Sequence, residues 1–310
     1  MSDFPILVTG AGGFVCSEIA ATFARAGQSV IATDRDFDAR TASRLERVER
    51  IGGPLSDVLA GLSGRRLSAV IHGAATTADP EALGISRAAH LRGNMEPLAL
   101  ALETARSAGA SRFLFLSSMG VFAPDDGPVR DKRLTEATLP TADCAYCAAK
   151  RAGEIVTEAA AENGFETISL RLGNICGPEE ASRPTRQILS RLRRMIDAAE
   201  GSGVIELTSP EARREWAWLP DLARGIVALF AVPFGSRPVI HAGSPPAIRD
   251  LDLARAVAER RPGTDIRIAP FEEATRPPMG TEADRGLFAT LDWTPIPEIL
   301  DRLVPAEALS

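Results

Sequence analysis

The chain has no apolar run approaching the ~18 residues that a membrane-crossing helix requires, so a membrane-spanning protein is not expected. It also lacks a surplus of basic residues: 35 Lys and Arg stand against 41 Asp and Glu, for a net charge of -6. A surface that follows nucleic-acid phosphates or anionic lipid needs the opposite balance, so neither is an expected partner. The opening "MSDFPILVTG" has no basic stretch leading into an apolar one; no secretory leader is expected, and the location is read as cytoplasmic. Cysteine is scarce, with four in 310 residues. In a reducing compartment Cys16, Cys144, Cys147 and Cys176 are expected as thiols, not as a disulfide frame. The three histidines are scattered, and neither a second C-x-x-C nor an H-x-x-x-H occurs, so no metal site is expected. His72 reads as a hydrogen-bonded strand-end residue and not as a base.

What is present alternates. Short β-rich runs at 6–10, 29–34, 69–74, 112–118 and 167–172 are separated by helical patterns at 13–26, 81–108 and 143–162, the last expected to be capped by Asn163-Gly164. The runs are continuous and not alternating in polarity, as in strands covered by helices on both faces. After residue 173 prolines punctuate shorter elements. The basic segment "SRLRRMIDAA" (190–199) reads as a solvated helix side in preference to an anion site.

"VTGAGGFVC" follows the first strand and opens a helix, the context in which closely spaced glycines signal a dinucleotide. Gly10, Gly12 and Gly13 let the backbone approach a pyrophosphate, whose charge the amides and dipole of the helix start stabilise. Asp34 ends the second strand, where a carboxylate accepts from an adenosine ribose hydroxyl and repels a 2′-phosphate. NAD is therefore expected over NADP, with Arg35 next door softening the preference. The fold class that follows is α/β: a Rossmann-type doubly wound parallel sheet with a smaller C-terminal substrate-binding region. The third glycine position falls at Val15 or Cys16, and the compact Cys16 side chain is read as packing.

"CAYCAAK" (144–150) admits two readings. Cys144 and Cys147 have the spacing of a redox dithiol or of half a metal site. Tyr146 and Lys150 stand one helical turn apart on the same face. A phenol working near neutrality must drop about three units from ~10, which is about 4 kcal/mol. One cation ~4 Å away at an effective dielectric of ~20 supplies about that much, although burial opposes it. A bound oxidised nicotinamide would add a second positive charge, so the glycine loop and the Tyr/Lys pair support each other. In "LFLSSMGVF", Ser117 and Ser118 close a strand at the edge where open α/β sheets place ligands, or else cap a turn.

"TGAGGF", "HGAA" (72–75), "LSSMGVF", "YCAAK", "LRLGNICGP", "RREWAWLPDLARGI" and "LDWTP" together resemble the extended short-chain dehydrogenase/reductases, the NAD-dependent epimerase/dehydratase group, over nearly the whole chain. The resemblance implies a catalytic set of Ser118, Tyr146 and Lys150, in which Tyr146 exchanges a proton with a substrate hydroxyl. Lys150 would lower the phenol pKa and hold the nicotinamide ribose. Around NAD it implies Gly10, Gly12, Gly13, Phe14, Val15, Asp34 and Arg35, then Leu55, Ala74, Ala75 and Asn94, with Tyr146 and Lys150. Asn94 falls where relatives begin a helix. Thr76, Ser118, Asn174 and Arg214 are implied to face substrate, the arginine meeting phosphate in nucleotide-sugar enzymes. Departures are Pro54, Pro97, Phe122, which removes a hydroxyl, and Gly173, which would enlarge the pocket.

On these grounds the Tyr/Lys reading of "CAYCAAK" is preferred. The expected activity is NAD-dependent oxidation of a secondary alcohol of a sugar or sugar acid. The alternative is a nucleotide-sugar epimerase or dehydratase that recycles bound NAD, and a third is a non-catalytic NAD-sensing module. The dinucleotide domain is expected at 1–173, completed by about 216–242, with 174–215 and 243–310 binding substrate. By analogy a homodimer is expected through the helices near 90–108 and 143–162.

Overall fold

The structure, a computed structural model, describes residues 4–127, 133–183, 186–243, 246–280 and 287–305. Strands β1 (Ile6–Thr9), β2 (Val30–Asp34), β3 (Glu49–Gly52), β4 (Ala69–His72), β5 (Arg112–Ser118) and β6 (Glu166–Leu172) alternate with helices. These are α1 (Phe14–Arg25), α2 (Ala39–Arg44), α3 (Leu55–Gly61), α4 (Arg87–Ser107) and α5 (Ala145–Ala159). Then follow β7 (Asn174–Cys176), α6 (Arg191–Gly201), β8 (Val204–Leu207), β9 (Arg213–Arg214), β10 (Trp216–Trp218) and α7 (Leu219–Leu229). The chain continues through β11 (Val239–Ala242), β12 (Ile248–Arg249), α8 (Asp250–Arg260), β13 (Asp265–Ile268) and α9 (Ile296–Leu303).

Seven strands form one sheet in the order β11-β6-β5-β4-β1-β2-β3, every pairing parallel. This is the doubly wound sheet that the alternation of runs predicts. A parallel sheet must be covered on both faces, and β1 shows how four residues do it. Ile6 and Val8 join the core that contains Ile19 and Ile226, while Leu7 joins Leu98 and Phe113 on the other face. β3 is absent from the strands expected from sequence. It is an edge strand, Glu-Arg-Ile-Gly, with all but Ile51 exposed, so it carries no apolar run to read.

Two helix limits differ from expectation. α4 begins at Arg87 behind a Ser86 cap, which puts Asn94 inside the helix and not at its start. α5 ends at Ala159; Asn163-Gly164 instead sits in a tight reversal into β6, with Gly164 at φ +79° and Glu162 and Phe165 exchanging backbone bonds. A third apolar cluster, distinct from the two that sandwich the sheet, gathers Leu192, Ile196, Trp216, Trp218, Leu253 and Ile299. β7 leaves the end of β6 to pair with β10, which carries this cluster to the carboxyl edge of the sheet. Among the described residues no helix is long and apolar enough to cross a membrane.

Candidate active site

A cavity of about 790 Å³ opens along the carboxyl ends of β1, β2, β4, β5 and β6. At its β1 end the chain turns through Gly10, at φ +74°, where a Cβ would come within 2.7 Å of Ala74 N. Gly13 then opens α1, and no side chain caps that helix, so its first amides are left for an anion. A backbone passing this close to the cavity with uncapped amides fits a dinucleotide pyrophosphate. Gly12 has a different task. Its amide donates to Asp34 Oδ2 at 2.8 Å, and a Cβ there would meet Asp36 O at 2.5 Å.

Asp34 also accepts from Arg35 N at 2.7 Å. Burial raises its carboxyl pKa, opposed by these two amide bonds and by Arg183. Phe14, Val15, Arg35, Leu55, Ala74 and Ala75 all line the cavity, as does Pro54. Cys16 is packed as expected: a Cβ on Gly73 would fall 2.2 Å from its sulfur, and burial pushes its thiol up to about 12. His72 bonds Thr9 Oγ1 through Nδ1 at 2.9 Å, and burial pushes it down to about 3, so it is neutral in the fold.

At the other end Ser118, Tyr146 and Lys150 share the cavity wall. Ser118 ends β5, where its Oγ accepts from Gly120 N at 3.0 Å. Burial raises the Tyr146 phenol, while a hydrogen bond with Ser118 and the charge of Arg186 pull it down. Lys150 stands beside the phenol, its ammonium 5.8 Å from the centre of the Tyr146 ring. Its ammonium donates to Leu116 O at 2.7 Å, and burial brings its pKa down to about 8. Ser117 points the opposite way from Ser118: its hydroxyl donates to buried Glu154 at 2.5 Å, which in turn holds Arg171 through two bonds of 2.8 Å.

Thr76 and Asn174 line the cavity, but Gly12, Asn94 and Arg214 do not. Asn94 acts from behind, accepting from Thr76 N at 2.9 Å and donating to Thr76 O at 3.3 Å. Arg214 is held by Asp250, with Nε 3.0 and 3.1 Å from its two oxygens. Arg191, 3.4 Å from the same carboxylate, reaches the wall instead, together with Arg183 and Arg186. Arg191 belongs to the basic segment read from sequence as a solvated face, and its pairing with a residue 59 positions on could not be seen there. Arg186 bonds Glu180 at 2.5 Å, while its buried Nη1 has no partner among the described residues.

Two substitutions behave differently from their sequence reading. Gly173 does not widen the cavity, because Glu215 Oε1 would lie 2.7 Å from a Cβ there. Burial raises that carboxyl to about 7; Oε2 accepts from Met279 N at 3.2 Å and Oε1 is unpartnered among the described residues. Phe122 is fully buried against His241 and Arg171, away from the cavity. The expectation of four free thiols is also corrected. Cys144 and Cys147 are joined in a disulfide, leaving Cys16 and Cys176 free.

The chain matches a family model described as "NAD dependent epimerase/dehydratase family" over residues 6–240. It is 30% identical over 194 residues to a UDP-glucose 4-epimerase of Erwinia amylovora, a match taking in 57% of this chain and 55% of that protein. Thus it spans about half the length of that relative. It is 26% identical over 265 residues to a dTDP-4-dehydro-6-deoxy-D-allose reductase of Streptomyces bikiniensis, covering 81% and 79%. A UDP-glucose 4-epimerase of Thermotoga maritima, solved with UDP-glucose, shares the fold with a TM-score of 0.79 at 19% identity, covering 95% and 96%.

Proposed function

The chain belongs to the NAD-dependent epimerase/dehydratase family, and from that premise we propose that it acts on a nucleotide-diphosphate sugar, oxidising and then re-reducing the substrate with no net change in its NAD. The observation that carries this reading is the arginine wall. Arg186 and Arg191 line the same cavity as Ser118 and Tyr146, with Arg183 paired to Asp38 toward the Asp34 end, and Arg186 Nη1 lacks a partner among the described residues. A free sugar brings no charge to such a wall and a sugar acid brings one, whereas a nucleotide diphosphate brings two phosphates suited to guanidinium forks. The curated relatives, by their names, act on UDP- and dTDP-linked sugars, which favours this reading over net oxidation of a free sugar or sugar acid.

Bound NAD supplies the acceptor, and later the donor, of a hydride at a sugar carbon. In this reading Tyr146 takes the proton of the sugar hydroxyl and returns it, and Ser118 orients that oxygen. Lys150, anchored on Leu116 O, contributes fixed positive charge at the nicotinamide end. Gly10, Gly13, Phe14 and Val15 hold the pyrophosphate, Asp34, Arg35 and Leu55 the adenosine, and Ala74 and Ala75 the stretch between. Gly12 and Asn94 position Asp34 and Thr76, and Thr76 and Asn174 face the sugar. The division expected from sequence is retained as part of the proposal: cofactor on 1–173 with 216–242, substrate on 174–215 and 243–310. So is a homodimer through α4 and α5, whose Leu100, Ile155 and Val156 are exposed.

The test supplies purified protein with NAD and a panel of UDP- and dTDP-hexoses, free aldoses, aldonates and uronates. NADH absorbance and the proton spectrum of each sugar are then followed. A nucleotide sugar altered without stoichiometric NADH is the expected result. Stoichiometric NADH from a free sugar or sugar acid would replace the reading with a net dehydrogenase, and NAD binding with no turnover would leave a sensing module.

A further inference from the structure

The C-x-x-C pair around Tyr146 has no part in the chemistry above. Cys144 caps α5, its sulfur accepting from Cys147 N at 3.0 Å, and the two sulfurs are bonded. Cys144 is exposed, whereas Cys147 is only 4% exposed. The bridge closes a four-residue loop, a length at which chain-entropy stabilisation is small, so a role as a staple does not account for it. An accessible sulfur backed by a buried one at a helix start is an arrangement suited to exchange with external thiols. Cys16 and Cys176 offer nothing comparable, since both are buried and burial pushes both thiols up.

We propose that Cys144–Cys147 is a thiol–disulfide exchange site that accepts electrons from a vicinal dithiol, and that its redox state controls how firmly Tyr146 is held. In the exchange a reductant thiolate attacks Cys144 Sγ, the bond to Cys147 breaks, and Cys147 leaves as a thiolate and takes up a proton. The reductant's second thiolate attacks its own sulfur in the mixed disulfide and releases Cys144, which is protonated in turn. Two electrons and two protons pass to the protein, and the dithiol becomes a disulfide. Tyr146 lies inside the closed loop, with its ring against Gly120. Opening the loop leaves the first turn of α5 to the Cys144 Sγ cap on Cys147 N, to the bond from Ala148 N to Cys144 O and to Arg87, which binds Asp143 O at 2.5 Å.

The kinetic part of this inference rests on reading Tyr146 as the proton-transfer group, whereas the thiol part does not. The full chain is oxidised with diamide or reduced with dithiothreitol. One portion is denatured and alkylated, and the other is assayed for native amide exchange and for turnover of the nucleotide sugar it accepts. The oxidised protein should take two alkyl groups and the reduced protein four. Reduction should speed exchange of the amides in 145–148 about five- to tenfold and lower kcat about tenfold, with KM within about twofold. Cys144→Ser keeps a capping hydroxyl and should give the reduced values after either treatment. Four alkylated cysteines in the oxidised protein, or identical exchange and kcat in both states, would overturn the proposal. Faster exchange on reduction, with no sugar turned over in either state, would support the exchange site and count against the reading of Tyr146 instead.

Discussion

Lys150 gives its ammonium to the carbonyl oxygen of Leu116, 2.7 Å away, and stands 5.8 Å from the centre of the Tyr146 ring. The cation is thus tied to the end of β5, and the influences that lower the phenol pKa against burial come from Ser118 and Arg186. Desolvation dominates both side chains, pushing the phenol up and the ammonium down. In the proposed reading, the positive charge of a bound oxidised nicotinamide would help the phenol release its proton, tying proton transfer to a loaded cofactor site.

Tyr146 is the only tyrosine in the chain, so Tyr146→Phe removes the phenol and nothing else of its kind. Turnover should fall by about 10²- to 10⁴-fold, the usual worth of a positioned acid or base. NAD affinity, measured by calorimetric titration, should stay within about twofold of wild type. Undiminished turnover in this variant would remove Tyr146 from the mechanism.

Arg191 and Arg214 share Asp250 but should fail in different ways. Arg191→Ala takes a guanidinium from the cavity wall and should raise KM for a nucleotide sugar by about ten- to a hundredfold, the worth of a charge-assisted bond. Arg214→Ala leaves a buried carboxylate short of its nearest partner and should cost on the order of 3 kcal/mol in denaturant unfolding. A large KM effect confined to Arg214→Ala would reverse this assignment.

Gly73 and Cys16 fit each other. Gly73→Ala would place a methyl 2.2 Å from the Cys16 sulfur and should destabilise the fold by about 1–3 kcal/mol. Adding Cys16→Gly should restore part of that loss, giving a non-additive double-mutant cycle in thermal or urea unfolding. Additive losses would mean that the two sites do not touch.

Glu215 makes stability depend on pH. Its folded value of about 7 lies above the ordinary 4.5, so between these values the folded chain holds a proton that the unfolded chain has released. The associated stability is fully present below about 4.5 and is lost as pH rises through about 7, an effect on the order of 3 kcal/mol. Urea midpoints measured between these limits should fall with pH in wild type and should fall less in Glu215→Gln. Equal slopes would show that burial does not hold this carboxyl protonated.

The cofactor end was the most legible part of the sequence, because each signal there is local. Gly10, Gly12 and Gly13 sit together in one strand-to-helix turn, and Asp34 ends the next run. Tyr146 and Lys150 were legible for the same reason, as i and i+4 positions of one helix. β3 was not, since an edge strand need not be apolar on both faces, and neither was the start of α4, which Ser86 sets by capping.

The sequence by itself determined the alternation of elements, the glycine turn that opens α1, and the spacing of the phenol and ammonium. Only the tertiary structure decided which arginine faces the cavity, since Arg191 and Arg214 meet Asp250 across 59 and 36 residues. It alone decided that Glu215 fills the space beside Gly173, and that the lysine ammonium is anchored on Leu116 O. The physical reason is common to all three. Chain-local periodicity fixes which face a residue occupies, but its partner there is chosen by the packing of segments far apart in sequence, where desolvation makes every buried charge depend on what it meets.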